Sequence, residues 1–138
     1  MTDIDSRIRA SFARQNMMHT MGAELTHIGD GEVIITAPIL LSSRQQHGVA
    51  HAALTFAIGD TAAGYAALTK LPSDQEVMTA EIKINLLSPG QGDYLRATGK
   101  VIKPGRRLVV VTAEVHAITD GQEKLIAILQ GTMAPVQI

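Results

Sequence analysis

Cysteine and tryptophan are absent from this chain of 138 residues, and the other large aromatic side chains number only two phenylalanines and two tyrosines. Without cysteine, the protein has neither disulfide bonds nor thiolate zinc sites. Four aromatic side chains are too few for the base-stacking surfaces that bind single-stranded nucleic acid. The formal net charge of −1 provides no excess of basic residues, so we do not expect nucleic acid as a partner.

The sequence also lacks an apolar run that is long enough for a targeting signal or a membrane span. Charged residues recur throughout the N-terminal stretch MTDIDSRIRASFARQ, whereas a signal peptide has an uncharged apolar centre. The longest apolar stretch, residues 50–69, is interrupted by a histidine, an aspartate and glycines, which argues against a membrane span. We therefore expect one folded domain over residues 1–138, located in the cytoplasm, with no membrane partner.

Apolar periodicity predicts a short helix and a β-hairpin in the first third of the chain. Ile4, Ile8 and Phe12 recur at helical spacing, which predicts an amphipathic helix over roughly residues 3–18. Two β-prone runs then flank Gly29-Asp30-Gly31, a composition typical of a tight hairpin turn.

The rest of the chain predicts one long helix followed by four strands. The helix, residues 50–69, is small or apolar nearly all round, which is typical of a buried helix. In the first strand Ile82, Ile84 and Leu86 alternate with polar residues, so we expect these three side chains on the buried face. The four strands cover roughly residues 76–87, 93–103, 107–119 and 123–134. Because only short connections separate them, the predicted fold is α+β, an antiparallel sheet wrapped around one long central helix.

Asp60 is the only formally charged residue of the long helix between Gly48 and Thr69. A carboxylate among small and apolar neighbours costs free energy unless hydrogen bonds or a pocket accommodate it. Such a residue is a candidate functional group. The alternative is an aspartate that meets solvent at an interface or bonds to a threonine elsewhere.

His47 and His51 are four residues apart, and this spacing raises the question of a metal site. The zinc-protease pattern requires a glutamate directly after the first histidine, where this chain has Gly48, and no third ligand is near in sequence. We therefore expect no metal. A serine nucleophile is equally unsupported, since no Gly-x-Ser-x-Gly elbow is present. His47 is then a loop residue, and His51 a residue that shapes the start of the helix.

The segment around these residues resembles the active-site segment of hotdog-fold acyl-CoA thioesterases of the phenylacetate-pathway (PaaI-type) family. That family has Asn-x-x-Gly-x-x-His-Gly-Gly, with a catalytic aspartate eight residues further on. The corresponding residues here are Gln45, Gly48, His51, Ala52, Ala53 and Asp60. The strand TAEIKINLLSPG, with a hydroxyl residue at Thr79, and the KPGRRLVVVTAEV hairpin extend the resemblance toward the C-terminus.

The resemblance implies a hotdog fold and hydrolysis of a thioester to a free acid and CoASH. It implies that Asp60 is the general base or nucleophile, that the backbone N–H of Ala52 donates to the oxyanion, and that Thr79 orients the water or the carboxylate. Coenzyme A is part of the substrate, and no separate cofactor is expected. The protein is expected to be a homodimer at minimum and commonly a homotetramer. Two departures, Gln45 for asparagine and Ala52 for glycine, affect efficiency and substrate shape.

Two other functions remain open at the level of the sequence. A hotdog hydratase or dehydratase uses an Asp-x-x-x-x-His pair, and none of the five histidines has an acid five residues before it. A non-catalytic acyl-CoA-binding protein is suggested by the Gln45 and Ala52 departures.

The densest basic cluster, Lys103, Arg106 and Arg107, flanks a Pro-Gly turn. It is either the site of the CoA phosphates or a solvated hairpin tip.

Helix geometry adds a prediction about assembly. Ala52 and Asp60 are eight residues apart, which corresponds to about 12 Å along a helix at 1.5 Å per residue. A thioester carbon must lie roughly 3 to 3.5 Å from its attacker, so one carbonyl cannot meet both groups of one chain. A symmetric partner with an antiparallel helix would bring Asp60 of one chain opposite Ala52 of the other.

Overall fold

The computed structural model describes residues 2–138, which form three α-helices and six β-strands. The helices are α1 (Asp3–Ala13), α2 (Asn16–Thr20) and α3 (Ala52–Leu68). The strands are β1 (Glu24–Gly29), β2 (Glu32–Pro38), β3 (Gln75–Leu86), β4 (Tyr94–Lys103), β5 (Val109–Thr119) and β6 (Gln122–Gln137). All strand pairs are antiparallel, and the sheet packs around α3. The predicted α+β architecture, the hairpin at Gly29–Gly31 and the central helix are thus confirmed.

The strand order is β1-β2-β4-β5-β6-β3, so consecutive strands are not always neighbours. The connections β4–β5 and β5–β6 are hairpins. The connection from β3 to β4 is also short, but it crosses between strands that are not neighbours. An isolated β-bridge between Ala50 and Gly90 holds the middle of this connection. As a result β3 pairs only with β6 and lies at one edge of the sheet among the described residues.

Small residues allow α3 to lie close against the sheet. A Cβ atom at Gly99 of β4 would lie 2.4 Å from the backbone of Ala62 in α3, a distance at which the backbones would clash. Ile58, Ala62 and Ala66 are fully buried on this side of the helix. Close approach of helix and sheet therefore depends on glycine and alanine, which explains the composition of residues 50–69.

One stripe of α3 is open, which corrects the expectation of a helix buried all round. The stripe consists of Ala53, Phe56, Ala57, Asp60, Thr61 and Gly64, and none of these residues is buried. Phe56 is 37% exposed despite its apolar ring. The composition of the helix did not reveal this stripe because, apart from Asp60, its open residues are of the same small or apolar kinds as its buried ones.

The predicted N-terminal helix is two helices, with a break at Arg14 and Gln15. Ile8 and Phe12 are buried as expected, but Gln15 takes an extended conformation with ψ 96°. Its side-chain Nε2 donates to the Tyr65 hydroxyl of α3 over 2.7 Å. The continuous helix was therefore a wrong prediction, since a hydrogen bond to a distant residue accompanies the turn of the chain at Gln15.

Across residues 2–138, no helix combines the length and the apolar character that crossing a membrane requires.

Candidate active site

The carboxylate of Asp60 lies on the open stripe of α3 and contacts Thr79 of β3. The Thr79 hydroxyl donates to Asp60 Oδ1 over 2.7 Å. The sulfur of Met133 lies 3.3 Å from the same hydroxyl, but the single hydroxyl proton favours the charged acceptor. Asp60 is thus held on one oxygen, and its second oxygen has no hydrogen-bond partner among the described residues.

A β-bulge places Thr79 on the inner face of β3. The pairing of β3 with β6 shifts between Thr79 and Glu81, so Ala80 is an extra residue. Strict alternation back from Ile82 would have turned Ala80 inward and Thr79 outward. The bulge reverses this, because Thr79 pairs with the buried Met133 and faces α3. Bulges commonly re-aim side chains beside functional sites.

His51 caps the first turn of α3. Its Nδ1 accepts the backbone N–H of Ala53 over 2.8 Å, which matches the expectation that His51 shapes the helix start. Ala52, between them, is exposed, and no acceptor for its N–H is found within residues 2–138. A free N–H at the positive end of a helix dipole suits an anionic or partly negative oxygen.

Gln45 and Gly48 form the tight turn that leads into α3. The Gln45 carbonyl accepts the N–H of Gly48 over 3.0 Å, and the Gln45 side-chain oxygen accepts the N–H of His47. Gly48 has φ +85°, a left-handed conformation that favours glycine. Gln45 and Ala52 line one groove of about 640 Å³ that continues to Pro89.

The chain brings its candidate residues together in two groups. Asp60 and Thr79 form one, and the Ala52 N–H with the Gln45 turn forms the other. Because α3 is a continuous helix over Ala52–Leu68, the two groups are separated by about 12 Å along its axis. One chain therefore holds two half-sites on the same open side of α3.

The basic cluster of Lys103, Arg106 and Arg107 is exposed and far from the start of α3. Arg106 shares a groove of about 390 Å³ with Leu71 and Pro72, which follow the C-terminal end of the helix. The 17 residues of α3 separate Ala52 from the C-terminal end of the helix, beside which Arg106 lies, by about 25 Å.

Sequence reasoning missed a polar cavity of about 210 Å³ that is lined by Asp60 and Tyr65. The buried Tyr65 hydroxyl lies there, 2.9 Å from Ser11 Oγ and 2.7 Å from Gln15 Nε2. The signals were a tyrosine in a helix made mostly of small and aliphatic residues, and a glutamine three residues after Phe12, where helical periodicity calls for an apolar side chain. Such residues in apolar surroundings require hydrogen-bond partners.

Within the same described range, no group of three or more potential metal ligands is found. His47 is exposed in its loop.

Comparison with known proteins identifies the class of protein. Residues 47–124 match the sequence profile of the thioesterase superfamily. A crystal structure of a thioesterase family protein from Silicibacter pomeroyi is 36% identical, with a TM-score of 0.95 over 98% of this chain and 99% of that chain. The chain therefore belongs to the thioesterase superfamily, and the predicted hotdog fold is confirmed.

Three further proteins are similar over different shares of their length. The Escherichia coli PaaI protein from the phenylacetic acid degradation operon has a TM-score of 0.85 at 22% identity, over 96% of this chain and 93% of that chain. A protein from Bacillus halodurans, solved with CoA, has a TM-score of 0.76 at 27% identity, over 97% and 89%. A "Putative esterase" of Saccharolobus solfataricus is 36% identical over 85 residues, which are 62% of this chain. This alignment spans about half of that curated relative, 54% of its length. The PaaI-type subfamily stays a prediction, because the likeness to PaaI concerns the fold alone.

Proposed function

We propose that this protein is an acyl-CoA thioesterase. The observation that carries the proposal is the pair of half-sites on the open side of α3, a threonine-held carboxylate and a free N–H at a helix start. Membership of the thioesterase superfamily and the names of its relatives support thioester hydrolysis. The similar Bacillus halodurans protein was solved with CoA, which supports a CoA thioester as substrate. Membership of the PaaI-type subfamily is part of the same proposal.

The two half-sites suit the two requirements of thioester hydrolysis. The reaction adds a water oxygen to the thioester carbon, breaks the C–S bond and leaves a carboxylic acid and CoASH. In this proposal the Ala52 N–H donates to the carbonyl oxygen as negative charge develops there. Asp60 either takes a proton from the attacking water, and this proton then balances the departing thiolate, or attacks the carbon itself. In the second route the attack expels the thiolate and forms a mixed anhydride, which water hydrolyses to the free acid, and the proton released from the water balances the thiolate.

A second copy of the chain completes the site in this proposal. Strand β3 is a 12-residue edge strand, and such an edge is a template for pairing with another chain. The open stripe of α3, with its exposed Phe56, lies on the same side of the molecule. A symmetric partner covering both would bring Asp60 opposite Ala52 of the partner subunit and create two equal sites.

The antiparallel arrangement also suits the basic cluster. The C-terminal end of α3, where Arg106 lies, would then be near the start of α3 in the partner. The groove that leads to Ala52 of the partner subunit would run toward Lys103, Arg106 and Arg107. These cations would therefore meet the phosphates of a CoA whose thioester lies at the shared site.

A free-thiol assay with a panel of acyl-CoA substrates tests the activity. We expect CoASH release by the purified protein, and a loss of roughly 100-fold or more in kcat for Asp60→Asn, since a positioned acid or base commonly contributes 10²–10⁴-fold. Asp30→Asn is the matched control, because Asp30 lies on the hairpin turn and pairs only with Lys70 among the described residues. Asp30→Asn should keep wild-type activity. Its melting temperature should equal that of Asp60→Asn.

A non-catalytic acyl-CoA-binding protein is the second candidate, favoured by the turn in which the Gln45 amide oxygen is occupied by the N–H of His47. Calorimetric titration with a non-hydrolysable acyl-CoA analogue separates the two. Binding without CoASH release from any acyl-CoA would establish this candidate and end the proposal of an enzyme.

A further inference from the structure

Asp60 lies at the junction of two cavities of opposite character. The polar cavity with Tyr65 lies on one side. On the other side is an apolar cavity of about 540 Å³ between α2 and α3. We call it the methionine pocket, after the three α2-side residues that line it, Met17, Met18 and Met21. Its opposite wall includes Phe56 and Ala57 of α3.

The α2 wall lies outside the part of the chain that matches the superfamily, which begins at residue 47. It is nevertheless held in place by specific bonds. Gln15, at the start of α2, donates to Tyr65, and the Ala23 N–H after the helix donates to the Met18 carbonyl over 2.9 Å. The pocket thus combines a wall from the matched superfamily region with a wall from the N-terminal segment that precedes it.

The chemistry of the lining defines what the pocket accepts. Apart from Asp60 at its edge, none of the lining side chains is charged. A carboxylate on a bound group would find no cation there and would meet the negative charge of Asp60. Methionine side chains are flexible and polarizable, so they adapt to apolar groups of different shape, including aromatic rings. The cavity volume lies within the usual range of small-molecule sites.

We propose that the methionine pocket binds the acyl group of the substrate, and that α2 sets the acyl preference toward uncharged, apolar acyl groups larger than acetyl. This inference rests on the proposed thioesterase function. The substrate carbonyl would lie near Asp60, with the CoA in the groove on the Ala52 side of the shared site. Hexanoyl, decanoyl and phenylacetyl groups fit this description, whereas a succinyl group does not.

A size series at Met17 tests the inference. Met17 is 63% exposed, so its replacement leaves the core packing intact. The ratio of kcat/KM for decanoyl-CoA to that for acetyl-CoA is measured for wild type, Met17→Leu, Met17→Ala and Met17→Trp. We expect Met17→Trp to lower the ratio about tenfold, the effect typical of adding bulk to an apolar substrate pocket. Met17→Leu should stay close to wild type, and Met17→Ala should raise the ratio.

A second pocket variant and a control variant complete the experiment. Ala57→Leu fills the pocket from α3 and should lower the ratio in the same direction. Leu41→Trp is the matched control, because Leu41 is 84% exposed and belongs to none of the cavities around Asp60. Its ratio should equal that of the wild type.

The outcomes separate this inference from the proposed function. If acetyl-CoA is hydrolysed but the ratio is unchanged in both Met17→Trp and Ala57→Leu, the methionine pocket does not hold the acyl group, although the protein remains a thioesterase. Hydrolysis of succinyl-CoA by the wild type at the rate of hexanoyl-CoA would overturn the inference equally. Failure to release CoASH from every substrate would overturn the proposed function itself.

Discussion

At the scale of single residues, the hydrogen bond between Thr79 and Asp60 is the most specific feature of the candidate site. A hydroxyl has one proton, and here it is directed to Asp60 Oδ1 over 2.7 Å. A charge-assisted bond of this kind fixes the rotation of the carboxylate. The second oxygen of Asp60 is then oriented for water or substrate without a further protein partner among the described residues.

Replacing Thr79 tests whether this bond positions Asp60. Thr79→Val keeps the shape of the side chain and removes the donor, so we expect kcat to fall about tenfold or more, since a misoriented base loses much of its contribution. KM should change little, because Thr79 acts through Asp60 in this proposal. The measurement is steady-state kinetics on the best acyl-CoA substrate.

Thr79→Ser is the matched variant for this experiment. It restores the hydroxyl without the methyl group and should recover most of the lost kcat. If serine reduces kcat as much as valine does, restoring the hydroxyl does not restore activity, and Thr79 is not a residue that positions Asp60 through this hydrogen bond.

At the scale of elements, the sequence predicted those features that depend on local periodicity. The central helix, the Gly29–Gly31 hairpin and the positions of β3 to β6 follow from apolar spacing and turn residues, and the structure agrees within a few residues. The buried face of β3 was predicted correctly at Ile82 and Ile84, which are partly buried against the core. It was wrong at Leu86, the last residue of the strand, which is 58% exposed.

Features that depend on long-range contacts escaped the sequence. The bulge at Ala80 reverses the alternation of β3, and nothing in the local pattern marks it. The break at Gln15 accompanies a bond to Tyr65, fifty residues away. The position of β3 beside β6 depends on the whole sheet. The roles of the motif residues were therefore predicted from the resemblance, whereas the pockets around Asp60 could be located only in the folded structure.

The β4–β5 hairpin carries a prediction at this scale. Arg106 and Arg107 are exposed at its tip, and phosphate contacts there would weaken as salt screens them. We expect Arg106→Ala and Arg107→Ala each to raise KM for acyl-CoA several-fold at low ionic strength and to reduce the rise of KM with salt. Kinetics between low and physiological salt measure both effects.

Lys124→Ala is the charge-matched control for the hairpin. Lys124 is exposed on β6, and its removal changes the net charge by the same amount. If this variant alters KM as much as the arginine variants do, the effect is one of overall charge and the hairpin is not the phosphate site. Unchanged KM in the arginine variants would leave the cluster as a solvated turn.

At the scale of the whole molecule, the structure leaves an edge strand and an apolar helix stripe open on the side that carries Asp60. Strand β3 has no covering element on its outer edge among the described residues, and Met78 and Leu86 on it are exposed. An uncovered edge of this length invites pairing. Covering the stripe would also remove water from around Asp60, which strengthens the electrostatic interactions that catalysis needs.

Mixed dimers of two inactive variants test whether the site is shared. Asp60→Asn removes the carboxylate. Ala52→Pro removes the donor N–H at a helix position where proline is tolerated. When the two variants are refolded together in equal amounts, half of the dimers are mixed. Each mixed dimer has one site with both Asp60 and Ala52 intact, so activity should return to roughly a quarter of the wild-type value. Activity that stays at the level of the separate variants, with mixed dimers verified by native mass spectrometry, would mean that each site is built within one chain.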